Sequence, residues 1–124
     1  MRSRLIGIIA VAGLLALAGC ASEPQKYLVF FQTDATVLTP EAQAVVAEIA
    51  QRNAAEHPAR IVVEGQADGA TSDETALADT RAARVATALS AAGVDAARIE
   101  RRPGVPPQGA GGVAARKVLV TFVR

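Results

Sequence analysis

The sequence predicts a two-layer α/β (α+β) sandwich in which two helices cover one face of a mixed four-stranded sheet, in the order βαβαββ. Three observations favour this class. Two stretches with helical periodicity alternate with short apolar runs, and two further strand-like runs end the chain. About 100 residues follow an apolar N-terminal segment, which is enough for one compact core and too few for two.

The N-terminal segment has the composition of a secretory signal peptide. Arg2 and Arg4 precede an apolar run that ends at Cys20 after two small residues, and the run is too short to span a bilayer. This end resembles the bacterial lipobox, which implies acylation of the cysteine. We expect residues 1–19 to be a cleaved signal peptide and residues 20–26 to be the lipidated cysteine and a short tether. The alternative is a short membrane anchor with a buried thiol.

Cysteine count and charge exclude several classes of protein. Cys20 is the only cysteine, so the mature chain has neither an internal disulfide nor a thiolate metal site. Loss of Arg2 and Arg4 leaves 11 basic against 12 acidic residues, a formal net charge of −1. Without a cluster of basic residues we expect no nucleic-acid partner. His57 has no second His or Cys beside it, and nothing pairs a nucleophile with a base, so we expect no metal, no cofactor and no enzymatic activity.

The first half of the folded part predicts a strand, a helix and a second strand. Residues 27–31 are continuously apolar, which is typical of a strand covered on both faces and predicts a central position in the sheet. Thr39 is a helix N-cap with Pro40 at the first helical position, and an apolar stripe at helical spacing continues until His57. Residues 60–64 form the second predicted strand.

The second half predicts a helix and two strands. The helix covers residues 72–92 and ends at Gly93, a usual terminator. Residues 98–102 are polar and predict an edge strand. Residues 103–113, rich in Gly and Pro, form a loop, and residues 117–123 are the last apolar strand.

The second helix carries an arginine on its apolar face. On a wheel of about 100° per residue, Arg81 falls between Leu77 and Val85 in the stripe that faces the sheet. A guanidinium there needs an acceptor, because burying an unpaired charge is costly. Asp68 is the candidate, since it follows the second strand and emerges at its carboxyl end, where open α/β sheets place ligands. The pair is either an internal salt bridge that fixes this corner or part of a ligand site.

Four short motifs carry a resemblance to a known family. Residues 30–41 contain an aromatic strand end, a turn and Leu-Thr-Pro-Glu, and residues 65–68 are Gly-Gln-Ala-Asp. Residues 74–82 contain the Leu and the Arg-Ala of a longer motif, and residues 93–94 are Gly-Val. Together they resemble the OmpA-like peptidoglycan-binding domain of the OmpA C-terminal, Pal and MotB type, and the resemblance covers residues 27–124.

The resemblance implies a function in binding and no bond cleavage. It implies that Arg81 pairs with a carboxylate of the diaminopimelate in the peptidoglycan stem, and that Asp68 pairs with its ammonium group. A planar guanidinium suits this task because it grips a carboxylate with two parallel hydrogen bonds. The resemblance also assigns Asp34, Glu74 and Arg116 to the ligand site.

The chain departs from the family pattern in the ligand loop. Gln66 and Ala67 stand where the family has His and Thr, and Glu74 stands where it has Asn. The spacing from the Asp to Arg81 is two residues shorter than is usual in the family. Thr71 and Glu74 also have the spacing of a helix capping box, which is an alternative role for the glutamate.

Two functions therefore remain open. The first is a lipid-anchored module that holds the outer membrane to peptidoglycan. The second is a degenerate domain of this fold that contacts other envelope proteins, with Asp68 and Arg81 kept as a corner salt bridge. The tether, roughly 20 Å at most, favours the second somewhat. Ala21 after Cys20 resembles lipoproteins sorted to the outer membrane, so we expect the domain to face the periplasm.

Overall fold

The computed structural model describes residues 24–67, 71–103 and 115–124. Within them the elements follow the predicted order of strand, helix, strand, helix, strand, strand, with one 3₁₀ turn before the third strand. The elements are β1 Lys26–Phe30, α1 Pro40–Glu56, β2 Arg60–Gly65, α2 Ser72–Ala91, β3 Ile99–Arg102 and β4 Lys117–Val123.

The four strands form one mixed sheet in the order β1-β4-β2-β3. Strand β4 pairs antiparallel with both β1 and β2, while β2 and β3 are parallel. Both helices pack on one face of this sheet, so the predicted two-layer α+β class is confirmed. The polar strand β3 lies at an edge, also as predicted.

The position predicted for the first strand was wrong, because β1 lies at the other edge of the sheet. Its fourth residue, Val29, is fully buried under the helices, whereas Leu28 and Phe30 on the opposite face are 40% and 46% exposed. A continuous apolar run therefore did not require two covered faces, since apolar side chains make up much of any protein surface.

Local signals in the sequence account for both ends of α1. The hydroxyl of Thr39 accepts a hydrogen bond from the amide of Ala42 at 3.2 Å, and Pro40 occupies the first turn, where it removes no helical bond. At the other end His57 adopts a left-handed conformation with φ of 48°, and its amide donates to the carbonyl of Asn53. The helix buries Ala42, Val46 and Ile49 against the sheet.

Helix α2 is likewise bounded by short-range contacts. Thr71 caps its start by accepting from the amide of Glu74 at 3.3 Å. Gly93 has a φ of 104°, which an L side chain rarely adopts, and the amide of Val94 donates back to the carbonyl of Leu89 at 3.0 Å. This pattern is a Schellman C-cap, and it confirms the predicted terminator.

Gly65, the last residue of β2, sets how closely α2 approaches the sheet. A Cβ atom at this position would lie 2.0 Å from the carbonyl oxygen of Ala78, in the backbone of α2. Only glycine permits that approach. It draws α2 down onto the end of β2, next to the site described below.

The hydrophobic core lies between the helices and the covered face of the sheet. Its largest fully buried side chains are branched aliphatic residues from both layers, namely Val29, Ile49, Ile61, Val63, Val85, Leu89, Val118 and Val120. Strands β1 and β2 end on the same side of the molecule, and both helices begin there. The chain enters β1 at the opposite end of the sheet.

Several predictions fall outside the residues that the structure describes. These are the signal peptide over residues 1–19, Cys20 with its tether as far as residue 23, Asp68, and most of the loop over residues 103–113. Among the described residues, no helix combines the length and the hydropathy that a membrane crossing requires.

Candidate ligand-binding site

A pocket of about 270 Å³ opens where β1 and β2 end and α2 begins. Its walls come from the turn after β1, the end of β2, the first three turns of α2 and the two residues before β4. The lining residues are Thr33, Asp34, Gln66, Ala67, Glu74, Leu77, Arg81, Ala115 and Arg116.

The pocket brings together four of the five residues that the resemblance assigns to ligand binding. Asp34, Glu74, Arg81 and Arg116 come from three separate parts of the chain and all line the same cavity. The fifth, Asp68, lies outside the described residues, and in the sequence it directly follows a lining residue, Ala67. The prediction that Asp68 pairs with Arg81 stays a prediction.

Arg81 lines the pocket and is held by contacts with the turn after β1. The residue is only 3% exposed, as its place in the apolar stripe predicted. Its Nε donates to the carbonyl of Ala35 at 2.9 Å, and its Nη2 donates to the carbonyl of Gln32 at 3.1 Å. The guanidinium also lies 5.5 Å from the centre of the Phe31 ring, in cation–π contact. These contacts tie α2 to the turn that follows β1.

The surroundings of Arg81 carry charges of both signs. Burial lowers the pKa of its guanidinium, the nearby Arg116 lowers it further, and Asp34 acts in the opposite direction. The group stays cationic at physiological pH, since an arginine cannot be deprotonated in a protein. Arg81 and Arg116 can together bind an anionic group, while Asp34 and Glu74 give the described part of the pocket equal numbers of positive and negative side chains.

Arg116 is fixed by one hydrogen bond and keeps donors available. One of its terminal nitrogens donates to the hydroxyl of Thr33. Its Nε is buried and has no hydrogen-bond partner within the part of the chain that the structure describes. A buried donor of this kind favours an additional acceptor, which a bound ligand can supply.

The two carboxylates of the pocket are positioned differently. Asp34 sits in the turn after β1 in a left-handed conformation with φ of 53°, a geometry that Asp tolerates better than most residues, and it is exposed. Glu74 is half-buried in the first turn of α2. Thr71 caps the amide of Glu74, but no return bond from its carboxylate is present among the described residues. Only half of the predicted capping box therefore forms.

The remaining ionic contacts lie away from the pocket. Four ion pairs join described residues, all of them on the surface: Arg52–Glu56, Arg60–Glu100, Arg102–Glu100 and Arg124–Glu56. No group of three His, Cys, Asp or Glu side chains in the described ranges could hold a metal ion. His57 serves the C-cap of α1 instead.

Sequence reasoning missed part of the pocket wall. Thr33, Leu77 and Ala115 line the cavity without having been predicted as site residues. Leu77 had a usable signal, since it lies between Glu74 and Arg81 at helical spacing on the same face of α2. The hydrogen bonds from Arg81 to the turn after β1 had no such signal. Every residue has a backbone carbonyl, so the sequence does not indicate which carbonyls accept from Arg81.

Both the sequence and the fold of the chain are similar to those of known proteins. A family model described as the OmpA family matches residues 30–109. The structure is similar to the OmpA-like domain of FopA1 from Francisella tularensis, with a TM-score of 0.67 and 18% identity over 78% of this chain and 70% of that one. No curated protein matches the sequence.

Two further solved structures share the fold. The peptidoglycan-associated lipoprotein from Burkholderia pseudomallei has 25% identity and a TM-score of 0.63, over 77% of this chain and 87% of that one. The periplasmic domain of Helicobacter pylori MotB has 16% identity and a TM-score of 0.65, over 82% and 77% of the two chains.

Proposed function

The chain belongs to the OmpA family, and on that basis we propose that it is a lipid-anchored protein of the cell envelope that binds the peptide stems of peptidoglycan without breaking a bond. The observation that carries the proposal is the pocket that gathers Asp34, Glu74, Arg81 and Arg116 at one end of the sheet. The Burkholderia structure supports it, since that protein is a peptidoglycan-associated lipoprotein.

The pocket suits one end of a diaminopimelate residue, which presents a carboxylate and an ammonium group. Arg81 and Arg116 supply donors for the carboxylate, and charge-assisted bonds of this kind are roughly twice as strong as neutral ones. Because the carbonyls of Ala35 and Gln32 already hold Arg81, binding costs little side-chain entropy. Asp68, which follows the lining residue Ala67 in the sequence, receives the ammonium.

Anchoring follows from the N-terminal motif. Acylation of Cys20 with two or more chains would hold the protein stably on the outer membrane, facing the periplasm, where a single chain would not. The chain enters the sheet at Lys26, and the pocket lies at the opposite end of β1. Under this proposal the tether joins the domain at the end of the sheet opposite the pocket, which supports a pocket directed towards the peptidoglycan layer. With the pocket at the far end of the domain, the length of the domain adds to the short reach of the tether towards the peptidoglycan.

The test compares two arginines on the same helix. The chain from Cys20 onward, purified without lipid, is titrated calorimetrically with soluble peptidoglycan fragments that contain diaminopimelate. Arg81→Lys keeps the charge but loses the fork of donors, so binding weakens about tenfold or more, equivalent to one charge-assisted hydrogen bond. Arg84→Lys, exposed on α2 outside the pocket, leaves binding unchanged.

A second function is favoured by one observation. Arg81 already binds two backbone carbonyls of the protein, which suits a purely structural role in a domain that contacts envelope proteins and no peptidoglycan. In that case the unsubstituted chain does not bind the fragments, and Arg81→Lys changes only stability. Absence of binding by the unsubstituted chain would therefore reject the first function and leave the second.

A further inference from the structure

Strand β1 has a free edge, and the structure shows which of its backbone groups point outward there. Among the described residues, β1 pairs only with β4. The amide of Phe31 donates to the carbonyl of Arg116 at 2.8 Å, and the carbonyl of Gln25 accepts from a residue of β4 at 2.9 Å. The odd-numbered residues of this segment therefore bond towards β4. Because bonding direction alternates along an antiparallel strand, the N–H and C=O groups of the even-numbered residues point away from the sheet. These residues are Lys26, Leu28 and Phe30.

The side chains of the same three residues lie on the open face of the sheet, which is the face without helices. Leu28 and Phe30 are two of the three large apolar residues that are exposed among the described residues. Leu119 of β4 is the cross-strand neighbour of Leu28 and is half-buried, so it continues this apolar surface across the sheet. A partner at the edge of β1 could thus use both the outward backbone groups and the apolar side chains.

The opposite edge of the sheet differs in its charge. Strand β3 has the sequence Ile-Glu-Arg-Arg, and its Glu100 forms ion pairs with Arg60 and Arg102. Charged side chains on an edge strand disfavour pairing with a further strand. Strand β1 carries a single charged residue, Lys26, at its start. Of the two edges, β1 is therefore the one that is open to pairing.

Two lysines at the margins of the apolar surface favour a partner of opposite charge. Lys26 begins β1, and Lys117, the cross-strand neighbour of Phe30, begins β4. A strand added to β1 would place its side chains about 5 Å from those of Lys26, Leu28 and Phe30. An opposite charge stabilises such a cross-strand pair with a lysine, and an apolar side chain stabilises one with a leucine or an aromatic residue.

We propose that the free edge of β1 is a strand-addition site for an extended segment of another protein that alternates apolar and acidic side chains. The backbone bonds supply affinity, and the side chains on the open face supply specificity. A second copy of this chain is less complementary. In a symmetric antiparallel pair centred on Leu28, Lys26 would lie beside the second copy's Phe30, and no carboxylate would face it. The site contains no residue of the pocket, so it is independent of the proposed function.

The experiment follows backbone amide hydrogen exchange by NMR in the chain from Cys20 onward, which contains every described residue. The probe is the synthetic peptide Glu-Thr-Val-Thr-Val-Thr-Glu with acetylated and amidated ends. We expect the three outward amides of β1 to exchange about tenfold more slowly at a peptide concentration about ten times the dissociation constant. The amides of Tyr27 and Val29, which already bond to β4, should change little. A control peptide with N-methylated Val amides keeps the side chains but loses those donors, and it should give no protection.

The charge preference is tested by a substitution at the start of β1. Lys26→Glu should weaken binding of the acidic peptide about tenfold and should strengthen binding of a peptide with Lys in place of Glu. Arg101→Glu is the matched control. It makes the same change of net charge at an exposed position on the opposite edge strand, β3, and it should leave the binding of both peptides unchanged.

Each outcome decides for or against the site. Slower exchange of the three outward amides, lost with the N-methylated peptide and weakened by Lys26→Glu, supports it. Protection of other residues, or of none, overturns it. If the three amides are already protected in the free chain and dilution removes that protection, a second copy occupies the edge, and the proposal is wrong. Equal weakening by Arg101→Glu would make overall charge the cause and overturn the preference for an acidic partner.

Discussion

At the scale of single residues, Arg81 shows what the sequence can and cannot predict. Its burial follows from helical periodicity, because every third or fourth residue of α2 faces the sheet. Helical periodicity does not predict its hydrogen-bond acceptors, since the carbonyls of Gln32 and Ala35 lie more than 40 residues earlier in the chain. The sequence predicts Asp68 as the partner because it shows which side chains carry a charge, but not where backbone carbonyls lie.

The contacts of Arg81 predict a stability cost when they are removed. Arg81→Met keeps most of the apolar stem but leaves both carbonyls without their donor. We expect the free energy of unfolding to fall by about 2 kcal/mol, because orphaned backbone acceptors outweigh the relief of burying one charge less. Urea unfolding followed by circular dichroism measures this, with Arg84→Met expected within about 0.5 kcal/mol of the unsubstituted protein.

A contrary result would be informative about the turn after β1. If Arg81→Met were as stable as the unsubstituted protein, water would be reaching the carbonyls of Gln32 and Ala35. The turn would then not depend on Arg81 for its position. The function of Arg81 would then be ligand binding and not the positioning of this turn.

At the scale of elements, helix ends were easier to predict than strand positions. The ends of α1 and α2 depend on residues within one turn, such as Thr39, Pro40 and Gly93, so their signals are local. The order of the strands depends on pairing between distant segments. For this reason an apolar β1 was wrongly expected in the centre, and only the polar β3 was placed correctly, because an exposed edge selects for charge.

The contact between β2 and α2 predicts a specific sensitivity at Gly65. Gly65→Ala forces a methyl group against the backbone of Ala78, which cannot rotate away, so α2 must shift. We expect a loss of about 3 kcal/mol in the free energy of unfolding, at the upper end for overpacking. Thermal and urea unfolding give the value, and weaker binding of stem peptides should accompany it because α2 lines the pocket.

Gly93→Ala is the matched substitution for that experiment. A Cβ at Gly93 would meet no atom within 4 Å, so its cost arises only from the left-handed backbone, about 1 to 2 kcal/mol. Gly93 lies at the end of α2 remote from the pocket, and ligand binding should be unaffected. A larger loss at Gly93 than at Gly65 would contradict the close approach of α2 to the sheet.

At the scale of the whole molecule, the predicted lipid anchor at Cys20 is the feature to test. Cys20→Ser removes the only thiol, so the protein should move from the membrane fraction to the soluble fraction of fractionated cells. Intact-mass spectrometry of the unsubstituted protein should show loss of residues 1–19 and added acyl chains. Ser22→Ala is the matched control, and the protein with this substitution should stay in the membrane fraction. A Cys20→Ser protein that stays with the membrane would instead indicate an uncleaved apolar segment as the anchor.

The two ends of β1 also have a mechanical consequence under the proposed function. The predicted anchor precedes β1, whereas Arg81 and Arg116, which bind the ligand in the proposed function, lie in α2 and directly before β4. Tension between membrane and wall would therefore pass from this strand of five residues to β4. The hydrogen bonds of β1 to β4 lie across the direction of the tension and would be loaded together in shear. Most of the fold, including α1, would carry little of the load. The resistance of the domain to tension would therefore depend mainly on the pairing of β1 with β4.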